Sequence, residues 1–176
     1  MDLHAENVTL RTARLILRPP VVADREAVVA GLNDLEVTQW LSVVPHPYTL
    51  ADADWFIDHV ARGGGPAWFI HDATGLVGGV SLGKELGYWL ARHAWGKGYM
   101  TEAAQAALAH YFADAVQTEI TSGHFVNNSR SGNVLRKLGF ENTFVEVTGC
   151  KALGLDVDSQ RMVLTCDRWQ RLSNPR

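Results

Sequence analysis

The residues best suited to chemistry lie in one run, Tyr88 to Ala103, in which a strand, a glycine-rich turn and a long helix follow one another. Gly96 and Gly98 stand just before the helix begins. The first amides of a helix have no partner within it, and the helix dipole adds roughly half a positive charge at that end. Because glycine leaves these amides uncovered, the run predicts a cradle for an anion such as phosphate.

Two common phosphate-binding motifs do not fit this run. Ala91 stands where a Walker loop needs its first glycine, and no serine or threonine follows Lys97. Thr101 replaces the third glycine of the dinucleotide fingerprint. A tight turn that needs glycine for steric reasons alone is the alternative to an anion site.

The elements before the run must form a wall beside it. Residues 8–18 are predicted to form a strand or a bent pair of strands. Apolar residues three and four apart then predict one or two short helices, at 25–32 and on through Leu41. A third helix is capped by Thr49, and its inner side is predicted to carry Trp55, Phe56 and Val60.

Three short strands at 67–71, 76–82 and 86–90 then predict an antiparallel meander. The period returns to 3.6 after Gly98, and the apolar stripe over 100–115 is the strongest helix signal in the chain.

The rest of the chain is predicted to add three strands and one helix. Residues 120–126 form a strand, and Ser129 or Ser131 caps a short helix that Gly139 ends. The last two strands are expected at 140–147 and 162–166.

The segment from Trp95 to Ala103 resembles the acetyl-coenzyme A motif of the GCN5-related N-acetyltransferases (GNAT). It is most similar to the branch of the ribosomal-protein N-terminal acetyltransferases RimJ and RimL. The segment from Asn128 to Phe140 resembles a helix of that branch, and the segment from Leu15 to Pro19 resembles its first strand. Three matches in the expected order cover most of residues 10–165.

The resemblance implies an α/β (α+β) GNAT fold. Its central sheet would be mixed but mostly antiparallel, with about seven strands, splayed in the middle and flanked by about four to five helices. The expected organisation is a single domain over residues 1–176, with its core at about 8–168.

The resemblance also implies direct transfer of an acetyl group from acetyl-CoA to a primary amine, on a protein N-terminus or a small molecule. The pantetheine arm would pair with the splayed strand, the pyrophosphate would lie on the glycine-rich turn, and no metal would take part. The implied cofactor-binding residues are Tyr88, Trp89, Leu90, Arg92, Trp95, Gly96, Lys97, Gly98, Tyr99, Met100, Thr101, Asn128 and Ser131.

Three residues are expected to act on the reacting groups. An amine with a pKa of about 10.4 is mostly protonated at neutral pH, so a base is needed. Glu85 resembles the family's strand acid; a solvated strand-end charge is the alternative. Many family members carry a tyrosine where this chain has Leu135, so Ser131 becomes the predicted donor to the leaving thiolate, with a helix cap as the compatible alternative. The Leu90 backbone N–H would meet the developing oxyanion.

Composition limits the partners. The chain has 16 Lys and Arg against 19 Asp and Glu, a net charge of −3, which argues against nucleic-acid binding. No apolar run approaches the roughly 20 residues that span a bilayer, and Cys150 and Cys166 lack zinc-ligand spacing. A cytoplasmic protein without metal or membrane partners is expected, and the family resemblance allows a homodimer.

Charge is uneven along the chain. Residues 21–62 hold seven acids and two bases, an excess that predicts attraction of an amine substrate; a solvated acidic helix face is the alternative. Two rival functions also stay open. One is a catalytically silent acyl-CoA-binding module, which the missing tyrosine suggests, and the other is a nucleotide-binding protein.

Overall fold

The computed structural model describes residues 8–173, in which eight β-strands and six α-helices follow one another. Residues 1–7 and 174–176 of the predicted domain lie outside the described residues. The strands are β1 (Leu10–Arg11), β2 (Ile16–Arg18), β3 (Ala67–Asp72), β4 (Gly75–Leu82), β5 (Leu86–Leu90), β6 (Glu119–Phe125), β7 (Glu141–Cys150) and β8 (Leu155–Thr165). The helices are α1 (Arg25–Leu32), α2 (Leu35–Thr38), α3 (Leu50–Ala61), α4 (Tyr99–Phe112), α5 (Ser129–Leu138) and α6 (Cys166–Ser173).

The strands form two antiparallel sheets that meet at one point. The larger sheet has the order β1-β2-β3-β4-β5, and the smaller has the order β6-β8-β7. Within residues 8–173, a single parallel bridge joins Glu85, the residue just before β5, to Thr121 of β6. The predicted mostly antiparallel sheet, splayed in the middle, is therefore confirmed. The strand count is eight because the segment 8–18 forms two strands, the bent pair that was one of the two expectations.

The sheet is covered on both faces. On one face α4 and α5 pack against the sheet, and Ala103, Ala104 and Ala107 of α4 are fully buried there. These small side chains let the helix lie close to the strands. On the other face a second cluster includes Val28 of α1 and Ile57 of α3. Each fully buried aliphatic side chain stabilises the fold by about 1.5–3 kcal/mol.

The third predicted helix is confirmed, but the placement of Trp55 on its inner side is wrong. Thr49 caps α3 as expected. The buried stripe of α3 is Ala53, Ile57 and Val60, at spacings of four and three, and Trp55 lies off that stripe. Its side chain is 65% exposed and stacks on His59.

The C-terminal region differs from the prediction at two places. β8 begins at Leu155, much earlier than the predicted residue 162, because its first half contains Asp156 and Asp158, a residue type that is depleted in strands. Cys166, the predicted end of a strand, is the first residue of α6. No helix within residues 8–173 has the length and apolar character needed to cross a membrane.

Candidate active site

β5 and β6 form a wedge that opens from one closed end. At the closed end the buried hydroxyl group of Ser122 donates a hydrogen bond of 2.8 Å to the carbonyl oxygen of Leu86. The bridge between Glu85 and Thr121 lies beside it, and within residues 8–173 no further bridge joins the two strands. Main-chain groups beyond this point face a gap in place of a neighbouring strand, as the predicted splay requires.

The strand register decides which backbone groups of β5 face the gap. The N–H of Ala91 donates to the carbonyl oxygen of Val77 on β4, at 2.9 Å. Because antiparallel neighbours alternate, Leu86, Tyr88 and Leu90 turn their backbone groups away from β4 and toward β6. The N–H of Leu90, the predicted oxyanion donor, is thus directed into the wedge.

Of the two tryptophans predicted to bind the cofactor, Trp89 packs away from the wedge, whereas Trp95 contacts the end of β5. The backbone of Trp89 faces β4, and its ring packs on the other face of the sheet, where a Cβ at Gly31 would lie 2.8 Å from it. The structure therefore places Trp89 outside the wedge. The indole N–H of Trp95 donates to the carbonyl oxygen of Leu90 at 2.9 Å, which fixes the loop to the end of β5.

The glycine-rich turn leaves the first backbone amides of α4 exposed. Gly96 and Gly98 have φ of +74° and +76°, in the left-handed region that favours glycine. Gly98 is the N-cap of α4, and glycine has no side chain with which to cap the helix. The first intrahelical bond runs from the Glu102 N–H to the Gly98 carbonyl oxygen, so the three amides between them have no helical acceptor. A Cβ at Gly96 would meet no atom within 4 Å, so open space lies in front of the turn.

An ion-pair network that spacing did not predict holds this turn from behind. Arg14 pairs with the Glu102 carboxylate at 2.6 Å and donates to the Lys97 carbonyl oxygen at 2.9 Å. Thr12 donates to the same carboxylate at 2.6 Å. Burial alone would raise the pKa of Glu102, but the hydrogen bonds from Thr12 and Arg14 outweigh it and hold the pKa below its ordinary value. Glu102 thus holds Arg14 against the turn in addition to interacting favourably with the dipole of α4.

Arg92 and Lys97, the two cations among the implied cofactor-binding residues, have different partners. Arg92 pairs with Asp34 at 3.0 Å, so its charge is shared with the loop before α2. The Lys97 ammonium lies 5.6 Å from the Tyr99 ring centroid, at the turn itself.

Asn128 caps α5, which corrects the prediction that Ser129 or Ser131 does so. The Asn128 side-chain oxygen accepts a hydrogen bond from the Ser131 N–H at 3.2 Å. Asparagine is among the best N-cap residues, and this signal was present in the sequence. Ser131 therefore lies inside the first turn, with its hydroxyl group not spent on capping.

The Ser131 hydroxyl group contacts Tyr88, a pair that the sequence did not predict. Tyr88 Oη lies 2.8 Å from Ser131 Oγ, so β5 and α5 meet directly above the wedge. Burial raises the pKa of Tyr88 to about 12, although the hydrogen bond to Ser131 acts in the opposite direction. Leu135 is fully buried in the core and supplies no hydroxyl group.

Glu85 lies at the closed end of the wedge and pairs with Arg161. Arg161 also lies 3.4 Å from Glu146. Its guanidinium group passes over Gly123, where a Cβ would come within 2.5 Å of it. The predicted base is thus an ion-paired carboxylate, and its partner comes from β8, a strand whose length was not foreseen.

The acids expected to attract an amine are engaged with neighbours. Asp52 accepts from the Thr49 N–H at 2.8 Å, Asp54 pairs with Arg25 at 3.4 Å, and Asp58 pairs with Arg62 at 2.7 Å. These contacts favour the alternative interpretation, a solvated acidic helix face.

The geometry fits acetyl-CoA. The wedge offers unpaired strand edges to an amide-containing arm, and the uncapped turn of α4 offers amides and open space to a pyrophosphate. Ser131 contacts Tyr88 in the open part of β5, and the Leu90 N–H lies at the end of the same strand.

The family comparison agrees with this geometry. Residues 14–141 match the model of the acetyltransferase (GNAT) domain, which is more than half of the chain. The chain belongs to the GNAT acetyltransferase family. The predicted acetyl-CoA-dependent N-acetyltransferase is thereby confirmed.

Individual relatives point the same way. YdaF of Bacillus subtilis (strain 168), provisionally named a ribosomal N-acetyltransferase, is 27% identical over 150 residues, covering 77% of this chain and 78% of YdaF. This relative confirms the resemblance to the ribosomal-protein acetyltransferase branch.

Two solved structures share the fold. The RimL acetyltransferase of ribosomal L7/L12, in complex with CoA, has a TM-score of 0.76 at 18% identity and covers 92% of this chain and 99% of its own. Spermidine N-acetyltransferase from Vibrio cholerae, with CoA and spermine, has a TM-score of 0.78 at 19% identity and covers 90% and 99%.

Proposed function

We propose that this GNAT enzyme transfers the acetyl group directly from acetyl-CoA to a primary amine, either the α-amine of a protein N-terminus or a small-molecule amine. The observation that carries the proposal is that β5, which borders the wedge, leads through the glycine-rich turn into the uncapped start of α4, and that Tyr88 of β5 contacts Ser131. Direct transfer is proposed because the two cysteines that could carry the acetyl group, Cys150 at the end of β7 and Cys166 at the start of α6, belong to neither strand of the wedge.

The cofactor site uses main-chain donors. The amides of Gly96 to Thr101 hold the pyrophosphate, and Lys97 adds charge. Tyr88 and Leu90 contribute backbone groups to the pantetheine arm. Asn128 combines its capping role with contact to the same arm. The Leu90 N–H donates to the carbonyl oxygen of the thioester, where negative charge develops during attack.

Glu85 and Ser131 complete the chemistry from opposite faces of the sheet. Glu85 takes the proton from the amine through a chain of water molecules, because five residues of extended strand, roughly 16 Å, separate it from Leu90, while Arg161 holds its carboxylate in place. Ser131 donates to the sulfur as the carbon–sulfur bond breaks. The two residues act on different atoms, so removal of either one lowers the rate by a different route.

The acceptor and the setting are inferred from the relatives. One relative is named for a ribosomal substrate and another for spermidine, so both a protein N-terminus and a small amine stay within the proposal. The net charge of −3 supports partners other than nucleic acid. The exposed apolar side chains of Phe144, Val145 and Val147 on β7 support a homodimer. The two cysteines are unpaired, which supports a cytoplasmic location.

A silent acyl-CoA-binding module is the second candidate. The observation that favours it is Leu135, which is fully buried where many family members carry a tyrosine. This candidate predicts binding of acetyl-CoA without transfer.

The test is release of free CoA thiol with a panel of peptides, amino acids and polyamines. Transfer predicts thiol release only when an amine is present. The variant Ser131→Ala lowers that release about 100-fold, whereas the matched variant Ser129→Ala, on an exposed residue of the same helical turn, retains it.

Other outcomes would decide against transfer. Tight binding of acetyl-CoA with no amine-dependent release across the panel would favour the silent module. Thermal stabilisation by ATP or NAD, but not by CoA, would favour a nucleotide-binding protein.

A further inference from the structure

The hydroxyl group of Tyr88 meets Ser131 where β5 approaches α5. Tyr88 Oη lies 2.8 Å from Ser131 Oγ and 3.3 Å from the Ser131 carbonyl oxygen. Either hydroxyl group can donate across the 2.8 Å contact, and the carbonyl oxygen, which can only accept, lies on the same side of the phenol. We take Tyr88 as the donor of the shorter contact and Ser131 Oγ as its acceptor.

A serine hydroxyl group that accepts one hydrogen bond still has its own hydrogen to donate. Tyr88 occupies one side of Ser131 Oγ, so the hydrogen of Ser131 is turned away from Tyr88. Without this contact the hydroxyl group would rotate among staggered positions, of which only some suit donation to one particular atom.

We propose that Tyr88 is a positioning residue that holds the Ser131 hydroxyl group in the orientation that donates to the sulfur of the departing CoA. The inference rests on the proposed function, in which Ser131 acts on that sulfur. It gives a physical substitute for the tyrosine missing at Leu135, because a phenol hydroxyl group still reaches α5, from β5 and through Ser131.

Two features of Tyr88 suit this role. Its ring packs against the main core, which fixes the position of its oxygen. Its buried phenol, with a pKa of about 12, stays protonated through the neutral range and remains a donor.

The transfer step balances without a further reactant. The amine nitrogen forms a bond to the acetyl carbon, the carbon–sulfur bond breaks, and its electron pair stays on sulfur. Nitrogen loses one proton and sulfur gains one, so the numbers of protons balance. Ser131 stabilises the sulfur charge by hydrogen bonding in the meantime and is not consumed.

The test is a double-variant cycle with the full-length enzyme and its best amine. Tyr88→Phe is expected to lower kcat about tenfold with an unchanged KM for acetyl-CoA, because the backbone of Tyr88 is retained. Ser131→Ala is expected to lower kcat about 100-fold. The double variant is expected to match Ser131→Ala alone, since Tyr88 acts only through Ser131.

The matched control is Tyr111→Phe. Tyr111 donates to the Glu119 carbonyl oxygen at 3.1 Å, so this variant also removes one phenol hydrogen bond, away from Ser131. It is expected to keep kcat. Multiplicative losses in the double variant, or equal losses in kcat for the two phenylalanine variants, would overturn the inference.

A crystal structure of the Tyr88→Phe variant with CoA decides the same point without activity. The Ser131 side chain is expected to leave the orientation that it has toward sulfur in the wild-type complex. An unchanged orientation would overturn the positioning role. Absence of transfer by the wild-type enzyme would instead overturn the proposed function, and the two failures are thus distinguishable.

Discussion

The N-termini of α3 and α4 are built in opposite ways. At the start of α3, the Thr49 hydroxyl group accepts from the Asp52 N–H at 3.3 Å, and the Asp52 carboxylate accepts from the Thr49 N–H at 2.8 Å. At the start of α4, Gly98 stands at the cap in a left-handed conformation and has no side chain with which to cap the helix. The first helix meets its own hydrogen-bonding needs, and the second leaves its first amides without a helical acceptor.

The comparison shows that one helix start is built for stability and the other leaves its donors available for binding. α3 forms part of a wall, so a closed capping box gains about 1 kcal/mol there. α4 forgoes that gain, and Arg14 with Glu102 supports its turn from behind, clear of the open space in front of Gly96. Exposed donors at α4 are thus a structural cost, which the pyrophosphate site proposed at this turn would explain.

The largest effect is expected for Gly96→Ala. A methyl group there enters the open space before the turn and strains a left-handed residue, so the CoA Kd is expected to rise on the order of 100-fold. The control is Gly63→Ala, because Gly63 also has a positive φ and a methyl group added to it would meet no atom within 4 Å, but it lies after α3. Isothermal titration calorimetry should find its CoA affinity unchanged. An equal loss of CoA affinity in both variants would contradict binding of the cofactor at the turn.

A smaller effect is expected for Glu102→Gln. The variant weakens the hydrogen bonds from Thr12 and Arg14, and the free energy of unfolding at neutral pH should fall by about 1–2 kcal/mol. The pKa of Glu102 is lowered by folding, so its contribution is present above the ordinary value of 4.5 and is lost as pH falls through the folded pKa. Denaturant unfolding at about pH 7 and about pH 3 checks this.

The control for that experiment is Glu26→Gln, which removes an exposed carboxylate from the first turn of α1. Its effect on stability should be smaller than that of Glu102→Gln. A stability difference between wild type and Glu102→Gln that persists at low pH would contradict an ionic origin.

The smallest effect is expected for Thr49→Ala. Loss of the cap should lower the free energy of unfolding by about 1 kcal/mol. The CoA Kd should stay unchanged, because the first amides of α3 are capped by its own side chains and take no part in the proposed CoA site. Thermal unfolding and titration calorimetry measure the two quantities. A change in CoA affinity comparable to that of Gly96→Ala would show that the two helix ends do not differ in function.

Much of the fold follows from local patterns. The cap at Thr49, the three-strand meander, the long α4 and the left-handed Gly139 were all predicted, because each depends on residues only a few positions apart. The errors have a similar origin. Trp55 was placed inside because aromatic residues are often core, yet the helical stripe runs through its neighbours.

The site was predictable where it is continuous in sequence and not where it is assembled. The turn at Gly96 and Gly98 and the backbone of Leu90 belong to one segment, and a motif identifies them. Arg14, Ser122 and Arg161 carry no motif. Their partners become neighbours only after the sheets have formed.

The sequence alone predicted that the first amides of α4 are exposed, and it identified the acetyltransferase family. Both depend on residues within short segments, because the hydrogen-bonding groups at a helix end are local. Contacts between distant residues were decided by the tertiary structure. Tyr88 and Ser131 are 43 positions apart, Glu85 and Arg161 are 76 apart, and Arg14 and Glu102 are 88 apart. Pairing at such separations depends on strand register and helix placement, which no short stretch of sequence encodes.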